Sequence, residues 1–228
     1  MKITAISDLH GFLPELPGGD LLLICGDFLP LKIQRSTSKS KKWIMNQWWE
    51  WIATLPYDKI IFICGNHEVA LEHHTLWLKE LFGYNCKCTY LEDELYEYKG
   101  LKIYGTPWCN IFYNWAFMIN EEELIEKYSL IPEGLDILLT HDAPEQNEVG
   151  FIHNSPYVNG VVDASNKTLS YFVKERSPKY HFCGHIHSGN HEMNKVDDTY
   201  FANVSYVDES YDPTNSPLNI TITDKELC

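Results

Sequence analysis

Apolar runs along the chain end abruptly in clusters of small and polar residues. Ile3 to Ile6 lead into Ser7-Asp8-Leu9-His10, Leu21 to Ile24 into Cys25-Gly26-Asp27, and Ile60 to Ile63 into Cys64-Gly65-Asn66-His67-Glu68. The shape returns at Leu135 to Leu139 before Thr140-His141-Asp142, and more weakly at Tyr180 to Cys183 before Gly184-His185-Ile186-His187. Short continuous apolar runs bounded by turn formers predict strands buried on both faces, as in a sheet covered by helices. Polar residues gathered just past the ends of such strands stand where open α/β folds place their sites.

Helical spacing lies between the runs. Ile44, Trp48, Trp51, Ile52 and Leu55 form one apolar stripe that Pro56 closes. Leu124, Ile125 and Tyr128 mark a shorter helix opened by Asn120 and three glutamates, a cap and an acidic first turn that suit the helix dipole. Leu169, Phe172 and Val173 mark a third, stopped near Pro178. Leu95 to Tyr98, Lys99-Gly100 and Leu101 to Tyr104 read as a hairpin, and His191 to Thr223 as several short strands. No repeat, low-complexity linker or composition break divides residues 1–228, which are read as one domain.

Composition narrows the function classes. The chain has 228 residues, 44% hydrophobic and 22% charged, as in an ordinary soluble globular protein. Its 18 Lys+Arg against 32 Asp+Glu give a net charge of −14, which disfavours a surface that wraps nucleic acid. The longest aliphatic stretch, Leu21 to Ile24, is far short of a membrane span, and the apolar run after Met1-Lys2 is too short for the core of a signal peptide. Seven cysteines, at 25, 64, 86, 88, 109, 183 and 228, make a poor disulfide framework and read mostly as core thiols. A cytoplasmic location and no membrane partner are the expectation.

Five of the ten histidines, His10, His67, His141, His185 and His187, fall in the strand-end clusters with Asp8, Asp27 and Asn66. One such residue after a strand is ordinarily a cap or turn former. Eight N/O donors converging on one rim of a sheet would be costly unless something bound them. Two divalent cations are the natural occupant, and this donor set suits Mn first, with Fe, Zn or Ni as alternatives. Asp27 is the candidate bridging carboxylate. Two metals at about 3.5–4 Å activate a shared water and stabilise attacking and leaving oxygens in an in-line displacement at phosphorus. Phosphoester hydrolysis is the chemistry expected.

Asp8-Leu9-His10, Gly26-Asp27, Gly65-Asn66-His67-Glu68, His141 and Gly184-His185-Ile186-His187 resemble the five ordered motifs of the calcineurin-like metallophosphoesterase superfamily. Pro17 to Leu22, Leu55-Pro56-Tyr57, Thr106-Pro107-Trp108 and Leu130 to Leu138 resemble more closely its small metallophosphoesterase-domain-containing group, related to class III cyclic nucleotide phosphodiesterases. The resemblance implies an α/β fold of two mixed β-sheets packed as a sandwich and flanked by helices. It implies one metal on Asp8, His10 and His187 and another on Asn66, His141 and His185, with Asp27 bridging. His67 would contact phosphate and protonate the leaving oxygen. The implied activity is hydrolysis of small phosphodiesters, cyclic nucleotides among them, by attack of a hydroxide bridging the metals. The alternatives are a nuclease of the same superfamily and a non-catalytic metal- or nucleotide-binding module; the completeness of the seven ligand positions argues against the latter.

Some segments depart from the pattern or leave a choice. Protein phosphatases of the superfamily carry GDxxDRG, whereas Phe28-Leu29-Pro30-Leu31-Lys32 follow Asp27 here, so a phosphoprotein substrate is disfavoured. Lys32, Arg35, Lys39, Lys41 and Lys42, with no acid between Phe28 and Gln47, read as a solvated connector or as a border that attracts an anion. Trp108 to Trp115 reads as core cover or as a wall for a nucleobase, with the core favoured. Glu68 is a surface residue at a helix start or an orienter of His67, and Asp142 a turn cap. His73, His74, His153, His181 and His191 lie outside every motif and read as structural or surface residues.

Overall fold

The computed structural model describes residues 1–83, 87–153 and 155–223. Its strands are β1 (Lys2–Ile6), β2 (Gly19–Cys25), β3 (Tyr57–Ile63), β4 (Cys88–Tyr90), β5 (Glu94–Tyr98), β6 (Leu101–Thr106), β7 (Cys109–Asn110) and β8 (Met118–Ile119). Then follow β9 (Ile137–Thr140), β10 (Phe151–Ile152), β11 (Val162–Asp163), β12 (Tyr180–Cys183), β13 (Asn194–Val196), β14 (Thr199–Asn203) and β15 (Leu218–Thr221). One sheet has the order β15-β1-β2-β3-β4, parallel except for the antiparallel edge strand β15. A second has the order β13-β14-β12-β9-β6-β5, parallel at its centre with antiparallel edges, and β7–β8 and β10–β11 form separate two-stranded pairs. Two mixed sheets are what the family resemblance implies.

Residue alternation along the strands builds three layers of core. On β2, Leu21, Leu23 and Cys25 meet Ile103, Ile137, Leu139 and Phe182 of the second sheet. The intervening Leu22 and Ile24 turn outward and pack with Trp48, Trp51 and Ile52 beneath the first helical layer. On the far side, Tyr104, Leu138 and Phe201 meet Leu124, Tyr128, Leu169 and Val173 of the second. Strands covered on both faces must be apolar at every position, which is why the sequence shows unbroken runs and not alternation.

The helices are α1 (Thr37–Trp43), a π-turn (Ile44–Trp48), α2 (Trp49–Thr54), α3 (Thr75–Leu81), α4 (Glu121–Ser129) and α5 (Lys167–Arg176). The expected stripe Ile44, Trp48, Trp51, Ile52 and Leu55 is buried throughout, and Pro56 follows it. The connector reading of Lys32 to Lys42 is corrected in its second half. Helix α1 begins at Thr37 because Ser40 and Trp43 are buried, the Ser40 hydroxyl donating to Ile33 O at 2.9 Å, and Lys39 and Lys42 merely occupy the wet face. Asn120 and Glu123 form a reciprocal capping box on α4 as its sequence suggests, but Ile125 is 47% exposed and faces solvent. The hairpin is β5–β6, and the tail supplies β13, β14 and β15. Helix α3 has no counterpart in the sequence reading. Cys25, Cys64, Cys88, Cys109 and Cys183 are buried thiols, as expected; Cys86 and Cys228 lie outside the described residues. Among the described residues no helix is long and apolar enough to cross a membrane.

Both sheets send the C-terminal ends of their parallel strands to one rim. There β1 delivers Asp8, β2 Asp27, β3 Asn66, β9 His141 and β12 His185. Beside this rim, His181 on β12 is fully buried. The Thr140 hydroxyl donates to Asp142 O at 2.6 Å, so His181 Nε2–H donates to Thr140 Oγ1 at 2.8 Å, and the Nδ1 lone pair has no partner. Burial alone pulls the imidazole pKa down to about 3. The unfolded chain binds a proton below the ordinary histidine value and the native one does not, so this group withdraws stability as pH falls from neutrality toward 3. Unfolding in chelator should show the wild type losing about 2 kcal/mol more than His181→Phe between about pH 7.5 and about pH 5. Parallel stability curves for the two proteins would contradict a neutral buried His181.

Candidate metal centre

Backbone conformation at the rim is unusual. Asp8, His10, Asp27 and His185 have φ of 54°, 42°, 53° and 66°, a left-handed region that costs a non-glycine residue about 1 kcal/mol or more. Space is equally restricted. A Cβ on Gly65 would strike the Asp27 carboxylate and lie 2.6 Å from His141 Cε1, and one on Gly184 would strike Ser7 Oγ and Asp8 Oδ2.

These turns bring every predicted ligand together. Asp8 Oδ1 lies 3.4 Å from His187 Nε2 and 4.0 Å from His10 Nε2, and the two imidazole nitrogens are 3.4 Å apart. Asn66 Oδ1 lies 2.9 Å from His141 Nε2 and 2.8 Å from His185 Nδ1. Between the groups, Asp27 Oδ2 is 3.3 Å from His141 Nε2, 3.9 Å from His10 Nε2 and 4.0 Å from His67 Nε2. Cys109, read from sequence as a core thiol, is buried within 4.8 Å of donor atoms of His141 and His185.

Hydrogen bonds on the outer side fix which atoms face inward. His141 Nδ1 donates to Cys25 O at 2.8 Å and His187 Nδ1 to Asp208 O at 2.9 Å, so both Nε2 atoms present lone pairs to the cluster. Ser205 Oγ donates to Asp8 Oδ2 at 2.7 Å, and the His67 N–H to Asp27 Oδ1 at 2.8 Å, leaving the other carboxylate oxygens inward. Lone pairs of His187 and Asp8, and of His141, Asn66 and Asp27, thus converge, with His10 Nε2 beside the first pair and only a proton or a cation to reconcile them. The clusters and the donor chemistry fit two divalent cations.

The charges answer to the same geometry. Burial favours a neutral Asp27, yet the imidazoles of His141 and His67 overcome it and hold the carboxyl well below its usual range. Burial likewise opposes a charged His141, but Asp27 and then Asp8 push its pKa up to about 10. A cation seated there takes the place of that proton, so metal uptake and proton release are linked. Burial pulls His10 down to about 3 against the attraction of Asp27 and Asp8, leaving it a neutral donor.

Two sequence readings change. Glu68 is neither at the surface nor in contact with the His67 ring. It is fully buried and accepts from the N–H groups of Asp27 (2.9 Å), Leu29 (2.9 Å) and Gly65 (2.7 Å), pinning two ligand turns together. Burial first, then Asp27, raises its pKa to about 8. Asp142 does more than cap a turn, for it accepts from Ala143 N (2.9 Å), Asn110 N (3.0 Å) and Asn166 Nδ2 (2.8 Å) and so joins three segments.

A cavity of about 490 Å³ opens over the cluster. Its walls include Asn110, Ile111, Phe112, Trp115, Tyr157 and Tyr211, and its floor includes Asp27, Asn66, His67 and His185. The 108–115 stretch is therefore divided. Trp108 and Cys109 pack inward, whereas Phe112 and Tyr113 are 56% and 83% exposed, against the expectation that the stretch is core cover. Trp115 stacks on His67 with ring centroids 4.4 Å apart. Tyr211, missed in the sequence because nothing periodic marks it, sets its ring against His10 (4.9 Å) and His187 (5.1 Å). Burial and the carboxylates of Asp27 and Asp8 raise its phenol to about 12, so it stays a donor.

A model of the calcineurin-like phosphoesterase family matches residues 1–189. Metallophosphoesterase domain-containing protein 1 of Homo sapiens is 31% identical over 244 residues, spanning 97% of this chain and 71% of the human one. UPF0046 protein T07D4.2 of Caenorhabditis elegans is 31% identical over 248 residues, 96% of this chain and 59% of its own length. Among solved structures, TT1561 of Thermus thermophilus superposes with a TM-score of 0.59 over 92% of this chain and 90% of that one. It is 14% identical, a likeness of fold.

Replacing Glu68 with Gln sets an amide NH₂ against a backbone N–H whichever way the amide turns. At about pH 9, where Glu68 is ionised, the variant should lose about 1–3 kcal/mol in urea unfolding and bind less metal at equal free concentration. Unchanged stability and unchanged metal content would remove Glu68 from the role of pinning the ligand turns.

Proposed function

The chain belongs to the calcineurin-like phosphoesterase family, and from that premise we propose that it hydrolyses small phosphodiesters, cyclic nucleotides among them, on two divalent cations. The observation that carries the reading is the position of Asp27 Oδ2 between the two donor groups, with His67 Nε2 on the same face and the cavity above both. Bound there, the cations would polarise a phosphoryl oxygen and activate water as nucleophile. Asp8, His10 and His187 would hold one cation, Asn66, His141 and His185 the other, with Asp27 shared. Manganese is the first to test, then iron, zinc and nickel.

The remaining work belongs to side chains of the cavity. Among the described residues no lysine or arginine lines it, so its walls suit a monoanionic diester better than a polyanion, in keeping with a net charge of −14. Its volume suits a nucleotide-sized ligand. Ile111, Phe112 and Tyr157 offer apolar surface to a base or another flat substituent, and Tyr211 offers a hydroxyl to a phosphoryl oxygen. The Asp-Arg-Gly that protein phosphatases of the superfamily carry after the second motif is absent, which supports a diester over a phosphoprotein. His67 Nε2, on the cavity floor beside Asp27, would face the reacting phosphorus and give its proton to the leaving oxygen. Burial lowers the pKa of His67 against the pull of Asp27, which makes the imidazolium a readier donor once the anionic substrate has stabilised it.

The test is a screen of metal-loaded protein against aryl mono- and diesters, 2′,3′- and 3′,5′-cyclic nucleotides, dinucleotides and single-stranded DNA. Asp27→Ala should abolish turnover and lower bound metal, and chelator should stop the wild type until Mn is restored. Undiminished turnover in chelator would end the dimetal reading.

His67→Ala should keep its metal and lose about 10²–10⁴-fold on alkyl leaving groups, where protonation matters, and much less on aryl ones. Equal losses across a series of leaving-group pKa values would remove His67 from the acid role.

A further inference from the structure

His67 needs an orienting partner, and Glu68 beside it is consumed by three backbone N–H groups. The structure offers another. Gln34 Oε1 lies 2.5 Å from His67 Nδ1, while Nε2 on the opposite edge is 4.0 Å from Asp27 Oδ2. We propose that Gln34 is the positioning residue of His67: its side-chain carbonyl keeps a proton on Nδ1 and turns Nε2 toward the reacting phosphorus. The proposal rests on the reading of His67 as leaving-group acid.

The chemistry follows from what an amide oxygen can do. It only accepts, so Nδ1 is the donor of this pair and Nε2 is left as the atom that exchanges protons. A carboxylate in the same place would hold an imidazolium more tightly, whereas a neutral amide orients the ring without trapping the charge. In the step itself the oxygen of the attacking water bonds to phosphorus as the P–O bond to the leaving group breaks, and the electron pair of the broken bond stays on the leaving oxygen. The Nε2 proton moves to it, and the ring ends neutral, its Nδ1–H still on Gln34.

Neighbouring contacts hold the partner and the ring. Gln34 O accepts from Ala70 N at 2.8 Å, which anchors the segment by its backbone. Arg35 next to it lays its guanidinium 4.8 Å from the Trp115 ring centre and donates to Asn114 O at 2.8 Å, while Trp115 stacks on His67. Thus the segment that follows β2 grips His67 twice, at its Nδ1 edge through Gln34 and on its face through Arg35 and Trp115. The arginine there clamps Trp115, and through it the His67 ring.

The experiment compares wild type, Gln34→Met, Gln34→Glu, His67→Ala and the double variant Gln34→Met/His67→Ala, all metal-loaded, on diesters with aryl or alkyl leaving groups. Gln34→Met should lose about tenfold or more in kcat on the alkyl leaving group and less than about threefold on the aryl one, with KM little changed. Gln34→Glu, which restores an acceptor but holds the charge more tightly, should recover part of the loss, and Gln34→Met should add nothing in the His67→Ala background. A readout independent of turnover is the Nδ1-bound proton of His67 in ¹⁵N-edited spectra of the metal-free protein, expected in wild type and Gln34→Glu and lost to solvent exchange in Gln34→Met. Wild-type kcat in Gln34→Met, beside a leaving-group-dependent loss in His67→Ala, overturns the proposal alone. Equal losses by Gln34→Met on both leaving groups, or a further loss in the His67→Ala background, also overturn it by showing a merely structural role. A uniform loss in His67→Ala overturns instead the reading on which the proposal rests.

Discussion

Two carboxylates and five imidazoles packed out of water at one rim are the constraint around which the rest of the molecule is organised. Left alone, such a group of donors would neutralise itself, change its protonation or drive the turns apart. Four of the donors are held from behind: Cys25 O and Asp208 O fix two imidazoles, and Ser205 and the His67 N–H fix two carboxylates. The inward atoms then have no relief except a proton or the cation that displaces it. The same constraint explains the empty space demanded at Gly65 and Gly184, where one more methyl would enter the cluster.

The sandwich supplies the stiffness this requires. Parallel strands buried on both faces cannot slide without exposing apolar side chains, so the ends of β1, β2, β3, β9 and β12 stay in register across two sheets. The chemistry sits in turns, but the turns inherit their positions from Leu23 beside Ala5 and Ile61, and from Phe182 beside Leu139. Glu68 and Asp142 extend that stiffness past the strand ends by tying turn backbones to one another.

How much of this is legible in the sequence depends on whether a residue repeats a pattern. The apolar runs and their terminal donors are loud, because burial on both faces and ligand chemistry act on several segments alike. Glu68 and Asp142 are ambiguous, since a carboxylate after a ligand looks the same whether it caps a surface turn or binds buried N–H groups. Gln34 is invisible, one uncharged polar residue amid lysines and serines. Lys39, Lys41 and Lys42 obscure the start of α1, because with the serines between them they look like a solvated connector, and the tryptophan that anchors the helix, Trp43, lies outside the stripe that begins at Ile44. Tyr211 lies in an irregular stretch where no period signals burial.

The left-handed backbone at Asp8, His10, Asp27 and His185 sets fold and site against each other. Glycine at any of the four would relax the turn by about 1 kcal/mol and delete a donor. A thermostability screen blind to metal would therefore enrich variants in which the site erodes, and the gain in melting temperature would measure how much folding energy the native chain forgoes to keep its ligands in place.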